Sequence, residues 1–252
     1  MVPQIVRNGV HVALDIVFPR FCVLCGLGVG DEPLFCASCQ KLLDGEMARP
    51  SCPRCAHSIG PYGFQEGRCY ACRNTRPRLD NLVRIGPYDD ATASIVRAFK
   101  YGGRDELDIY LGDLLAEVIE LADWFESADA LICVPTHWRH SIGRKFYAPQ
   151  VLARATSRAV GIPLVSLLRR TEGGPHQFDV SRAKRMENIR GKFAMRRRVG
   201  VRGARICVID DVSTTGSTLN ECARVLKEAG AVAVYGAVIA KVSADRESAE
   251  RV

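Results

Sequence analysis

The sequence predicts an α/β fold, a mainly parallel sheet flanked by helices, preceded by a small cysteine-rich domain. After Pro77, apolar runs of strand length alternate with longer amphipathic segments, which is the element order of a parallel α/β sheet. Residues 20–75 lack helical periodicity and are rich in Gly, Pro and Cys, so this stretch cannot bury a large core alone. The composition, 47% hydrophobic and 25% charged, is typical of a soluble globular protein.

The elements of the α/β domain follow one another in alternation along the chain. Buried strands are predicted at residues 130–135, 204–210 and 231–240, and helices at 91–101, 107–125, 147–160 and 217–230. Gly161 and Gly230 stand where left-handed caps would end two of these helices. The pattern therefore predicts a sheet whose strands are joined by helical crossovers.

The 252 residues are enough for two domains of unequal size. We predict an N-terminal amphipathic helix at residues 1–18, a cysteine-rich domain at 19–76 and the α/β domain at 77–252. No apolar run approaches the ~18 residues that a membrane span needs, and the start of the chain lacks a signal-peptide cleavage site. We therefore expect a cytoplasmic protein without a membrane span; the sequence leaves its oligomeric state open.

Eight of the eleven cysteines form four CxxC pairs in the predicted small domain: Cys22/Cys25, Cys36/Cys39, Cys52/Cys55 and Cys69/Cys72. A CxxC turn places two thiolates on one side of a tight knuckle, and two knuckles complete a tetrahedral Cys₄ zinc site. Because no export signal is evident, metal ligation is favoured over disulfides. The pattern predicts two structural zinc sites, since four sulfur ligands leave no position for a catalytic water.

Other arrangements of these cysteines remain open at this point. Grouping in sequence order is favoured over a cross-braced arrangement, and zinc over an iron–sulfur cluster or a redox dithiol. Cys133, Cys207 and Cys222 lie in two predicted strands and a helix. We interpret these three as packing residues.

The net charge of +7 is concentrated in two stretches. Residues 181–205 hold ten basic side chains and one acidic one, and residues 134–158 hold five basic side chains and no acid. Such clustering indicates a polyanionic partner, either phosphates on a small molecule or nucleic acid. A solvated face that binds nothing would carry the same charges.

The most informative segment is residues 205–219, where a predicted strand runs into Asp210 and Asp211, then a turn of hydroxyl residues and glycine, then a helix. The turn and the helix N-terminus present backbone N–H groups and hydroxyls to a phosphate. The carboxylates upstream accept hydrogen bonds from a sugar diol or bind hydrated magnesium. The segment thus matches both ends of a ribose 5-phosphate, although an ordinary Ser/Thr-capped turn has a similar order. A Walker A loop is excluded, because GxxxxGK[ST] is absent from the sequence.

This segment resembles the phosphoribosyltransferase signature. The resemblance implies a type I phosphoribosyltransferase-like fold that binds phosphoribosyl pyrophosphate with Mg²⁺, with Asp210 and Asp211 on the ribose hydroxyls. It also implies that the 5-phosphate is held by Thr214, Thr215, Gly216, Ser217 and Thr218.

Over residues 18–242 the chain resembles the ComF family, a phosphoribosyltransferase-like group associated with competence and DNA uptake. The cysteine-rich start, residues 88–104, the loop at 134–146 and the basic segment at 177–193 carry this resemblance. One departure concerns Tyr147 and Ala148, which stand where family members usually carry Asn-Gln.

Two functions follow from the resemblance. An enzyme would transfer the phosphoribosyl group to an unknown acceptor, with Arg139, Arg144 and Lys145, helped by Lys100, stabilising the departing pyrophosphate. No general base is evident, since the histidines at 137, 140 and 176 are better interpreted as surface or loop residues. Alternatively, the chain is a non-catalytic module that binds nucleic acid or regulates, with DNA or DNA-uptake and repair proteins as partners.

Overall fold

The computed structural model describes residues 21–29, 34–60, 63–65, 67–73, 77–101, 105–135, 147–171, 189–196 and 200–243. The helix predicted at residues 1–18 lies outside these ranges. The elements in chain order are α1 (Ala37–Met47), β1 (Phe64–Gln65), β2 (Arg68–Cys69), β3 (Asn81–Pro87), α2 (Asp90–Tyr101), α3 (Asp105–Glu120), β4 (Ala130–Cys133), α4 (Ala148–Val160), β5 (Leu168–Arg170), β6 (Phe193–Met195), β7 (Arg205–Ser213), α5 (Ser217–Glu228) and β8 (Ala233–Lys241).

The central sheet has the strand order β3-β8-β7-β4, and every neighbouring pair in it is parallel. Its middle strands are apolar because helices cover both faces of a parallel sheet; in β7, residues 206–209 are fully buried. Beyond β4, a parallel bridge joins Leu131 to Leu164 and continues the sheet. The predicted α/β architecture is confirmed.

Two helices approach each other unusually closely on one face of this sheet. A Cβ atom built on Gly112 of α3 would lie 2.3 Å from the Cβ of Ala155 in α4, a distance that no pair of side chains tolerates. Gly161 ends α4 in the left-handed conformation, with φ at +72°, as the sequence predicts. No helix in the described part of the chain is long and apolar enough to cross a membrane.

The observed elements depart from the predicted ones in several places. Helix α1 lies in the cysteine-rich region, where no helix is predicted, and the β5–β6 hairpin is also absent from the prediction. The helix predicted to reach residue 125 ends at Glu120, and a short 3₁₀ turn follows at Phe125–Ser127. Strand β7 continues to Ser213 because its polar end remains paired with β8, where Ser213 is opposite Lys241. Strand β3 is absent from the sequence prediction because Arg84 interrupts its apolar run.

The cysteine-rich region packs directly on the edge of this sheet. The Leu82 N–H of edge strand β3 donates to the Pro53 carbonyl at 2.8 Å, and the buried Arg84 donates to Ser58 Oγ at 2.7 Å. The ring of Phe35 lies 5.2 Å from that of Tyr110 in α3. The small region therefore covers the open edge at β3 and shares its core with the α/β domain.

Candidate functional site

The candidate site is built where β7 turns into α5. Gly216 is the N-cap residue of α5 with φ at +75°, a conformation that glycine adopts without the steric cost of a Cβ atom. A Cβ atom at this position would lie 3.4 Å from Asn220 Nδ2. The glycine thus allows a sharp turn from strand to helix and places the positive end of the helix dipole at the edge of the sheet.

The turn is held in shape by its own side chains. Thr215 Oγ1 lies 2.6 Å from Ser217 Oγ and accepts a hydrogen bond from the Ser217 N–H at 3.2 Å. Asn220 Nδ2 donates to the Gly216 carbonyl at 3.0 Å, and Lys241 Nζ donates to the Thr214 carbonyl. These bonds use carbonyl and hydroxyl groups of the turn, so its conformation is set before any ligand arrives.

Both carboxylates precede this turn in β7. Asp210 Oδ1 accepts from the Asp211 N–H at 2.9 Å, and Asp211 Oδ1 accepts from the Val212 N–H at 2.6 Å. Lys100 Nζ, from α2, lies 2.9 Å from Asp211 Oδ2. Local backbone bonds therefore orient both side chains, and one cation neutralises the second of them.

The pKa of Asp210 is shifted far from its usual value. Burial, followed by the negative charge of neighbouring Asp211, raises the pKa of Asp210 to about 8. Its side chain is nevertheless partly exposed. A cation or a strong hydrogen-bond donor stabilises the ionised form of a carboxyl in such an environment, and shifted pKa values of this kind are frequent in ligand-binding sites.

The structure brings together most of the residues proposed from the signature. Lys100, Asp210, Asp211 and the turn at residues 214–218 lie at one edge of the sheet, the carboxyl end of β7. Arg139, Arg144 and Lys145 fall outside the described residues. The histidines at 137, 140 and 176 also fall outside them.

Two residues at this edge have no site role in the sequence prediction, which notes Tyr147 only as a departure from the family pattern. Lys241 is buried, 2% exposed, at the end of β8 and donates a hydrogen bond to the Thr214 carbonyl of the turn. The sequence indicates this residue only through its position, as a lysine at the end of an apolar strand. Tyr147 caps α4, and its hydroxyl donates to the Val134 carbonyl at 2.7 Å. Burial, followed by the negative charge of Asp210, raises the pKa of Tyr147, so the phenol lies in the same electrostatic neighbourhood as the acids.

The eight CxxC cysteines form two separate clusters. One contains Cys22, Cys25, Cys36 and Cys39 and the other contains Cys52, Cys55, Cys69 and Cys72, with the sulfur atoms of each cluster all within 4.8 Å of one another. The grouping follows sequence order, as the sequence favours, and is not cross-braced.

The sulfur spacing fits a tetrahedral metal. Zinc–sulfur bonds of about 2.3 Å place ligand sulfurs about 3.8 Å apart in a tetrahedron, and the Sγ–Sγ distances are 3.7 Å for Cys25–Cys36, 3.8 Å for Cys52–Cys72 and 3.5 Å for Cys55–Cys69. A disulfide would require about 2.05 Å. The donor set and its geometry therefore fit zinc at both clusters.

The second cluster adjoins the turn before α5. The Arg78 N–H, in the segment after the cluster, donates to Asn220 Oδ1 at 2.6 Å. A cavity of about 470 Å³ lies between them, lined by Arg54 and His57 on one side and Thr215 on the other. His57 also places Nδ1 3.4 Å from the sulfur of Cys55. The cysteine-rich region thus forms one wall of the space beside the turn.

The three remaining cysteines occupy the predicted elements. Cys207 in β7 and Cys222 in α5 are fully buried, and burial raises the pKa of both thiols. Cys133 ends β4 and is partly exposed. The burial of Cys207 and Cys222 confirms their interpretation as packing residues.

Comparison with known proteins gives two family matches in separate parts of the chain. Residues 13–74 match the double zinc ribbon domain, and residues 150–251 match the phosphoribosyl transferase domain. These matches agree with the two cysteine clusters and with the parallel sheet that carries Asp210 and Asp211.

Two curated relatives align with most of the chain. Competence protein F of Haemophilus influenzae is 27% identical over 202 residues, which are 77% of this chain and 85% of the relative. DNA utilization protein YhgH of Escherichia coli K12 is 28% identical over 229 residues, which are 87% of this chain and 96% of the relative. Among solved structures, glutamine phosphoribosylpyrophosphate amidotransferase from B. subtilis aligns with a TM-score of 0.38 and 22% identity, over 57% of this chain and 30% of that one.

Proposed function

We propose that this chain, which is similar to Competence protein F over most of its length and combines a double zinc ribbon with a phosphoribosyl transferase domain, binds phosphoribosyl pyrophosphate with magnesium and transfers the phosphoribosyl group to an acceptor. The observation that carries this proposal is the end of β7. There, two adjacent carboxylates, Asp210 and Asp211, precede a preformed hydroxyl-rich turn at the N-terminus of α5.

The ribose 5-phosphate fits this edge in one direction. The 5-phosphate binds at the turn, where Thr214, Thr215, Ser217 and Thr218 supply hydroxyls and the N-terminus of α5 supplies N–H groups. The ribose hydroxyls donate to Asp210 and Asp211, and such donors stabilise the ionised form of Asp210, whose pKa is raised by burial. The diphosphate on C1 then extends away from the turn.

Magnesium fits the same pair of acids. Carboxylate oxygens are the ligands that this hard cation prefers, together with water and phosphate oxygens. When bound, magnesium neutralises negative charge on the diphosphate. Asp210 and Asp211 would hold it, directly or through water, and Lys100 balances the charge of Asp211.

The transfer breaks the bond between ribose C1 and the pyrophosphate oxygen. The electron pair leaves with pyrophosphate, a new bond forms between C1 and a nucleophilic nitrogen or oxygen of the acceptor, and the proton of that nucleophile passes to solvent. Positive charge grows on the ribose and negative charge on the leaving group, so fixed cations accelerate the step. We assign this role to Arg139, Arg144 and Lys145, which follow β4 in sequence.

The cysteine clusters have a structural role in this proposal. Four sulfurs complete the coordination of each zinc and leave no site for substrate. Because the region covers the edge of the sheet at β3 and lines the cavity beside the turn, loss of metal would remove support from the site as well as unfold the ribbons.

The catalytic proposal is tested by release of pyrophosphate from phosphoribosyl pyrophosphate. We expect release that requires magnesium and an acceptor, that is lost in Asp211→Asn, and that is retained in Asp113→Asn, an exposed acid on α3. Release that continues unchanged in Asp211→Asn would contradict the assigned site. Magnesium-dependent binding without release, across a panel of nucleobases and amines, would leave the binding part of the proposal and refute the transfer.

A second candidate function is favoured by one observation, the names of the relatives, which refer to competence and DNA utilization. In that case the basic stretch at residues 181–205 contacts DNA phosphates. Salt-sensitive binding of a single-stranded oligonucleotide should then survive Asp211→Asn and fall when Arg196, Arg197 and Arg198 are replaced by glutamine. Binding that is insensitive to these three replacements would refute this role for the basic stretch.

A further inference from the structure

A second cavity, of about 760 Å³, lies among α4, the end of β4 and the β5–β6 hairpin. Its volume is within the range of about 300–1,000 Å³ that is typical of small-molecule sites. Four of its lining residues are arginines: Arg154, Arg169, Arg170 and Arg196. We refer to it as the arginine cavity.

The arginine cavity opens at the same edge of the sheet as the two acids. Cys133, which lines it, ends β4 and pairs with Ile209, the residue before Asp210. Tyr147 also lines it and is held by its hydrogen bond to the Val134 carbonyl. The cavity is therefore beside the proposed ribose site, on the neighbouring strand.

The hairpin fixes two of the four guanidinium groups. Arg196 Nε donates to the Leu168 carbonyl at 3.2 Å, and the guanidinium carbon of Arg170 lies 5.9 Å from the centre of the Phe193 ring. Neither contact neutralises charge. Arg154, on α4, and Arg169, on β5, complete the set from two different elements.

The described walls of this cavity do not balance its positive charge. Among the described residues, none that lines the cavity is acidic, and none forms an ion pair with any of the four arginines. Four like charges around one cavity repel one another, and an anion relieves that repulsion. Guanidinium groups bind carboxylate and phosphate in bidentate geometry.

The remaining walls of the cavity suit the apolar or planar part of an organic molecule. Leu164, Leu167, Leu168 and Tyr147 supply apolar and aromatic surface around the arginines. An inorganic anion such as pyrophosphate gains nothing from that surface, whereas a planar or apolar molecule with one acidic group uses both kinds of wall.

We propose that the arginine cavity is the acceptor site and that the acceptor is a small organic anion, with a carboxylate or phosphate group and a nucleophilic nitrogen or oxygen. This inference rests on the proposed function, because it needs the ribose C1 to be presented from the neighbouring strand. It adds the chemical class of the acceptor and names the residues that select it.

The test compares probes that differ by their charged group alone. Full-length, zinc-loaded protein is titrated calorimetrically with nicotinate against nicotinamide and with phenyl phosphate against phenol, with and without magnesium and phosphoribosyl pyrophosphate. The expected result is that at least one anion binds about ten-fold or more tightly than its neutral partner. The arm that shows the preference distinguishes a carboxylate from a phosphate acceptor.

A matched pair of variants assigns the preference to the cavity. Arg154→Gln should reduce anion affinity about ten-fold or more. Arg158→Gln, one helical turn further along α4 and also exposed, should leave it unchanged because Arg158 does not line the cavity. Magnesium–phosphoribosyl pyrophosphate affinity, measured on the same samples, reports the proposed function separately.

Three results would overturn the inference. The first is that neither anion binds more tightly than its neutral partner. The second is that the preference for an anion survives combined Arg154→Gln and Arg169→Gln replacement. The third is that an oligonucleotide binds through these arginines while both small anions fail to bind. Intact phosphoribosyl pyrophosphate binding in any of these cases would show that the acceptor assignment alone is wrong. Anion selectivity without phosphoribosyl pyrophosphate binding would refute the proposed function and, with it, the role of the cavity as an acceptor site.

Discussion

Replacing Asp210 by asparagine is expected to stabilise the ligand-free protein, and to do so more as the pH rises. Burial and the charge of Asp211 raise the pKa of Asp210 from 3.8 to about 8. A carboxyl whose pKa is raised on folding contributes stability that is fully present below the unfolded pKa, near pH 4, and is lost as the pH rises through the folded value. The asparagine side chain does not ionise in this pH range, so the variant does not lose stability in this way as the pH rises.

The size of the effect follows from the same shift. Each pKa unit corresponds to about 1.4 kcal/mol, and the partial exposure of the side chain reduces the full difference to a net effect on the order of 2–3 kcal/mol at pH 8. We expect the free energy of unfolding of Asp210→Asn, relative to wild type, to increase by about this amount between pH 5 and pH 8.

Urea denaturation of wild type, Asp210→Asn and Asp113→Asn at both pH values provides the measurement. Asp113 is exposed on α3 and controls for loss of a negative charge from a protein of net charge +7. A difference in unfolding free energy between Asp210→Asn and wild type that is the same at pH 5 and pH 8, or that favours wild type at pH 8, would show that the Asp210 pKa is not raised on folding. Because the carboxylate is proposed to bind ribose and magnesium, the stabilised variant should also lose ligand affinity.

Two further predictions concern packing and metal. Gly112→Ala should destabilise the protein by about 2 kcal/mol or more, because its Cβ would lie 2.3 Å from that of Ala155. Gly45→Ala, on α1 with open space around it, should be neutral or stabilising in the same urea experiment, and equal effects would contradict the close helix contact. Cys52→Ser should reduce the zinc content, measured by elemental analysis, from two equivalents to one. Cys207→Ala should keep two equivalents. Two equivalents of zinc in Cys52→Ser would contradict the assigned cluster.

The parts of the fold that sequence predicted are those with local signals. Four CxxC spacings fix which thiols share a knuckle, and the order strand, Asp210-Asp211, hydroxyl turn and helix is contained within fifteen consecutive residues. Gly216 and Gly161 also follow a local rule, since glycine adopts a positive φ without the steric cost of a Cβ atom. Such features need no knowledge of distant contacts.

The features that sequence did not predict depend on contacts between distant residues. Strand β3 contains Arg84, which is buried and donates a hydrogen bond to Ser58 of the cysteine-rich region. Lys241 meets the turn through strand pairing that brings residues 213 and 241 together. The arginine cavity collects side chains from α4 and from a hairpin of two three-residue strands, which are too short to show periodicity.

The proposed function depends on binding of the phosphate of phosphoribosyl pyrophosphate at the turn before α5. Isothermal titration with magnesium and this ligand tests it on wild type, Gly216→Val and Gly161→Val, two replacements at similar φ values of +75° and +72°. If the turn binds this phosphate, we expect saturable binding to wild type and Gly161→Val and none to Gly216→Val, with zinc content and cooperative unfolding retained in all three. No heat of binding to wild type, or equal affinity in Gly216→Val, would contradict it.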